Sequence, residues 1–91
     1  MKYDIASTTK FRKELKLMLK RGLDVSLLDE IVDMLADDIP LPEANRDHAL
    51  SGRWAGHRGC HIQPDWILIY RIDGSELLLI LTRTGSHSDL Y

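Results

Sequence analysis

Cysteine is almost absent: Cys60 is the only one in the chain. No internal disulfide can form, and a reducing, cytoplasmic setting is expected. No apolar run reaches the roughly 18 residues that a spanning helix needs, and no basic stretch opens onto a long apolar core. Neither a membrane span nor an export signal is therefore expected. The zinc spacings C-x-x-C and H-E-x-x-H are missing, and the adjacent Cys60 and His61 would point to opposite faces of a strand. No metal and no other cofactor is expected.

What is present suits one soluble domain over residues 1–91, with 44% apolar and 29% charged residues. The net charge of -2 hides a segregation. Residues 1–21 hold seven Lys or Arg against two acids, and residues 22–47 hold one Arg against eight acids. Such blocks fit two solvated helices, or an anion-binding face with its counterweight.

Periodicity divides the chain. "MKYDIA" alternates as a strand with Tyr3 and Ile5 on one face. A helix follows, with Ser7, Thr8 or Thr9 as its cap, Phe11, Leu15, Met18 and Leu19 as its apolar stripe, and Gly22 as its stop. Ser26 and Asp29 have capping-box spacing and open a second helix striped by Leu28, Ile31, Val32 and Leu35. Pro40 and Pro42 end helical structure. "HRGCHI", "WILIYRI" and "ELLLILTR" then read as an antiparallel meander, turned by "QPD" and "DGS". Residues 66–70 and 77–81 are apolar at every position, which predicts strands covered on both faces, by the helices on one and by a second cover, such as a partner, on the other. The fold class is α+β: a β-α-α-β-β-β domain with an antiparallel-rich twisted sheet of four or five strands and an N-terminal helical hairpin on one face.

The segment "CHIQPDW" puts a thiol, an imidazole, a carboxylate and an indole beside a core strand. The meander brings Arg83 and the tail "TGSHSDLY" to the same edge, so His87, Asp89 and Tyr91 come within reach of His61, Asp65 and Trp66. His48 can approach from the preceding loop. Blander roles fit some of these: Asp65 suits a Pro-Asp turn, Trp66 suits core packing, and Cys60 suits a small strand position better than a nucleophile.

Three segments, "DHALSGRWAG", "CHIQPDW" and the terminal "RTGSHSDLY", together resemble the YafQ group of the RelE/ParE toxin superfamily. The resemblance runs nearly end to end. It implies a toxin of a type II toxin-antitoxin pair, an endoribonuclease that cuts messenger RNA in the ribosomal A site without metal. It also implies catalytic roles for His48, His61, Asp65 and His87, with Trp66 and Tyr91 holding RNA. His87 would be the general acid, and His61 or His48 the general base, with Asp65 orienting an imidazole or sharing the proton work. Arg83 would steady the scissile phosphate. Histidine suits either proton transfer near neutrality, and arginine offers a permanent fork for phosphate. Ser51 and Ala55 stand in a loop where relatives often carry lysines, which implies either weaker ribosome docking or docking concentrated on the first helix, with Lys13 and Lys16, and on Arg46, Arg53 and Arg58. The implied partners are the antitoxin, the ribosome and its mRNA, with operator DNA reached only through the antitoxin. The alternative is a noncatalytic binding toxin on the same fold, either gyrase-directed or a degenerate antitoxin-binding subunit.

Overall fold

Capping and apolar periodicity set the first half of the chain. In the computed structural model, which describes residues 1–91, strand β1 is Asp4–Ser7 and helix α1 is Thr9–Lys20. Thr8 is the cap: its backbone is extended and its Oγ1 accepts the Phe11 N–H at 3.0 Å. That satisfies one of the donors every helix start leaves open. Phe11 and Met18 are buried and Leu15 packs beside them, but Leu19 is exposed. At about 100° round the helix from Met18, Leu19 falls outside a narrow seam that rests mainly on one strand.

Helix α2, Val25–Ala36, is capped by Asp24, whose carboxylate accepts the Ser26 N–H at 2.9 Å. The Ser26–Asp29 box does not form, because Asp24 already takes that donor. The predicted stripe of Leu28, Ile31, Val32 and Leu35 is buried throughout. The N–H groups of Lys2 and Tyr3 both donate to the Ala36 carbonyl, tying the start of the chain to the end of α2. Tyr3 is buried by this tie, whereas Ile5 on β1 stays exposed because its strand lies at a sheet edge.

The second half forms β2 (His48–Ala49), β3 (Arg58–Gln63), β4 (Trp66–Asp73) and β5 (Leu78–Gly85), ending in the short helix α3 (His87–Leu90). One five-stranded sheet results, in the order β1-β5-β4-β3-β2. Every pairing is antiparallel except β1 with β5. Strand β5 begins one residue later than its apolar run, since Leu77 sits in the left-handed region (φ 53°). Asp73 holds the turn before it by accepting the N–H groups of Ser75 and Glu76.

Both faces of β4 are covered, as its composition predicts. Cys60, Ile62, Trp66, Leu68, Tyr70, Leu79 and Leu81 meet the two helices in the main core. Each large side chain buried there contributes about 1.5–3 kcal/mol. Ile67 and Ile69 face the other way, where Leu90, Leu50 and Trp54 of the chain itself cover them. The second cover is therefore built in, from α3 and the loop after β2.

Candidate active site

Pairing register decides which side chains share the outer face. Partners in an antiparallel ladder point to the same side. His48 pairs with Gly59, Gly59 with Ile69, His61 with Ile67, and Arg83 with Ile69. His48, His61 and Arg83 thus lie on the face away from the helices. Arg83 reaches it only through a bulge, since Thr82 has no partner between Leu81 and Arg83. Without that extra residue, the alternation set by Leu79 and Leu81 would turn Arg83 toward the helices.

At the open end of this face His87 is fixed twice by one oxygen. Asp65 Oδ1 accepts the His87 backbone N–H at 2.9 Å and the ring Nδ1–H at 2.7 Å. These bonds hold the Asp65 carboxyl below its usual range, the backbone N–H contributing most. With Nδ1–H bound to Asp65, Nε2 is the ring nitrogen of His87 left without a partner. Both side chains are more than half exposed, so the pair orients the ring more than it stabilises the fold.

His61 is the second member. Its ring lies 5.3 Å from that of His87, centre to centre, and its Nδ1 is 3.2 Å from the Pro64 carbonyl oxygen. A carbonyl only accepts, so Nδ1 carries the hydrogen and the neutral ring presents a lone pair at Nε2. His48 has the same arrangement, with Nδ1–H donating to the Arg46 carbonyl at 2.7 Å. His61 and His87 line a common cleft of about 540 Å³ with Asn45, Arg46, Gln63 and Pro64. His48 stands outside that lining.

Helix α3 is braced to present His87. Ser86 and Asp89 form a reciprocal capping box, and Arg21 at the end of α1 grips the Asp89 carboxylate with two bonds of 2.7 and 3.2 Å. These bonds, Arg21 foremost, depress the Asp89 carboxyl strongly. Gly85 is required here: a Cβ would stand 2.8 Å from that of Asp89. The Ser-x-x-Asp spacing at 86–89 is the sequence signal that would have identified this brace. Asp47 is a second brace that the sequence reading missed. It accepts from Tyr70 Oη at 2.6 Å and Arg58 Nε at 3.2 Å, anchoring the chain just before His48.

Several expected roles are corrected. Trp66 is 1% exposed, packs in the helical core and donates its Nε1–H to Thr84 at 2.8 Å, so no ring face is open to an RNA base. Arg83 is spent on Glu14 through two bonds of 2.7 and 2.8 Å, with 13% of its side chain exposed, and is not presented to a phosphate. Arg58 is likewise paired with Asp47. Cys60 keeps the small strand position expected of it: it is fully buried, and burial pushes its thiol up to about 12. Tyr91, in contrast, is 62% exposed with its ring 6.3 Å from that of His87. Lys13 and Lys16 sit with Arg12 on the open side of α1, and Arg53 lies over the Trp54 ring. No three His, Cys, Asp or Glu side chains stand together as ligands for a metal ion.

A helix pair on one face of a mixed sheet, with two oriented imidazoles and a carboxylate at its open edge, defines a small α+β protein with groups able to exchange protons gathered in one cleft. Comparison with known proteins makes that class specific. Residues 3–91 match the family described as the YafQ bacterial toxin of the type II toxin-antitoxin system. The mRNA interferase toxin YafQ of Escherichia coli K12 is 39% identical over 89 residues, covering 97% of this chain and 95% of that protein. A metal-bound toxin from Helicobacter pylori superposes with a TM-score of 0.93 at 42% identity, over 98% of this chain and 99% of that one. YafQ in the E. coli DinJ-YafQ complex gives 0.88 at 39% identity, over 98% of each chain. The chain belongs to the YafQ toxin family.

Proposed function

We propose that this protein is the toxin of a type II toxin-antitoxin pair and an endoribonuclease that cuts messenger RNA on the ribosome. The observation that carries the mechanism is the pairing of an Asp65-oriented His87 with His61 across one cleft. His61 Nε2 takes the proton of the RNA 2'-hydroxyl, and the freed oxygen attacks the adjacent phosphorus. The bond from phosphorus to the 5'-oxygen breaks while protonated His87 gives its Nε2 proton to that oxygen. The products are a 2',3'-cyclic phosphate and a 5'-hydroxyl end, and solvent returns the two imidazoles to their starting states. His48, one strand over, supports the same edge. Tyr91 offers a ring on which an unstacked base can rest.

Lys13, Lys16 and Arg53 supply exposed positive charge for ribosomal RNA. The neutralising partner is an antitoxin, as DinJ is for the E. coli relative, and operator DNA is engaged only through it. A cytoplasmic site of action follows from the ribosomal target. The metal-bound state belongs to the H. pylori relative. Only His61 and His87 offer free ring nitrogens in this cleft, fewer donors than a stable site requires, so no step is routed through a metal.

The test is to map new RNA 5' ends in a translating extract, with and without ribosomes, for the wild type and His87→Ala. Ribosome-dependent cuts by the wild type alone are expected. Growth arrest without cuts would support a noncatalytic toxin instead.

A further inference from the structure

We infer that Arg46 is the guanidinium that holds the scissile phosphate, the role the sequence pattern assigned to Arg83. The inference rests on the ribonuclease reading above and names a contact within its site. An RNA phosphate between His61 and His87 carries negative charge that increases as the 2'-oxygen attacks, and a nearby fixed cation lowers that barrier. Three arginines around the edge are already neutralised: Arg83 by Glu14, Arg21 by Asp89 and Arg58 by Asp47. Re-aiming any of them would strand a carboxylate. Arg46 lines the cleft with His61 and His87, is exposed, and its side chain has neither an ion pair nor a hydrogen bond.

The backbone around Arg46 is built into the same site. Arg46 adopts the left-handed conformation (φ 49°, ψ 46°), which is uncommon for a residue with a Cβ and costs on the order of 1 kcal/mol. In that conformation its carbonyl receives the His48 Nδ1–H, while the neighbouring Asn45 amide donates to the His61 carbonyl at 2.7 Å. One short turn therefore registers both histidine strands and projects a free cation into the cleft between them. Asn or Gly would accept this conformation more easily.

The turn also dictates the test. Arg46→Asn keeps a residue tolerant of the left-handed region and removes the charge; Arg46→Lys keeps the charge and loses the fork. Single-turnover cleavage would be measured on purified ribosomes programmed with a defined mRNA, across a toxin titration, beside a thermal melt of each variant. Arg46→Asn should lower the saturating rate constant about 100-fold, with the half-saturating toxin concentration and the melting temperature little changed. Arg46→Lys should recover part of the rate. An unchanged saturating rate, or a change confined to half-saturation, overturns the inference and leaves Arg46 as a docking residue. Absence of cleavage by the wild type overturns the ribonuclease reading itself, and this inference with it.

Discussion

A single oxygen of Asp65, Oδ1, accepts both the backbone N–H and the ring Nδ1–H of His87. The carboxylate thereby sets where His87 sits and which of its nitrogens faces substrate. Removing His87 eliminates the acid and should cost about 10²–10⁴ in rate. Asp65→Ala, which leaves the acid but frees its ring, should cost less, and Asp65→Asn less again because an amide oxygen can still accept. Cleavage rates in that order, with unchanged melting curves, are expected; an Asp65→Ala variant as fast as the wild type would remove Asp65 from the site.

Acid should loosen α3. The Asp89 carboxyl is depressed from an ordinary value of 3.8 by Arg21 and the Ser86 cap. Its stabilising contribution is fully present above about pH 4 and is lost as pH falls toward the depressed folded value, because the unfolded chain takes up the proton first. Urea unfolding at pH 6 and pH 3 should show the wild type losing more stability on acidification than Asp89→Asn. Equal losses would contradict the assignment.

Arg83 and Glu14 should behave as a structural pair. Glu14→Leu leaves a largely buried guanidinium without its partner and should destabilise by about 3 kcal/mol. Adding Arg83→Met should restore most of that loss, and the double variant should still cleave mRNA at a temperature where it is folded. Loss of cleavage in a folded double variant would return Arg83 to the chemistry.

The two edge aromatics should separate cleanly. Trp66→Phe loses ring volume and the bond to Thr84, at a cost of about 2 kcal/mol in stability, with the per-molecule cleavage rate retained. Tyr91→Ala should melt like the wild type yet cleave about tenfold more slowly at low RNA, as loss of one stacking contact predicts.

Charge reversal at Lys13 and Lys16 should weaken ribosome binding, most visibly at low salt, without changing the melting curve. Binding that is unchanged at low salt would place docking elsewhere.

Local signals in the sequence were enough for β1, the two long helices, the three-stranded meander and the neighbourhood of the site, but not for β2, α3 or the Asp24 cap. A cap among Ser7, Thr8 and Thr9, the α2 stripe, the prolines after it and the turn residues at 64–65 and 73–75 act within a few residues, so their consequences are readable along the chain. Antiparallel pairing then brings "CHIQPDW" beside "RTGSHSDLY" with little freedom. Whether a polar side chain reaches substrate or is spent on a distant partner is a different matter. The bulge at Thr82 turns Arg83 to the outer face, and Glu14, 69 residues away, takes its charge. Thr84 takes the Trp66 indole into the core, and Arg21 meets Asp89 across 68 residues. These pairings depend on register and on two helices crossing a sheet, which no local pattern records. The sequence by itself determined which chemistry collects at this edge. The tertiary structure decided that His61, Asp65 and His87 stay accessible at the edge while Trp66 and Arg83 do not, because burying an indole N–H or a guanidinium is costly unless it is paired, and Thr84 and Glu14 supply those partners.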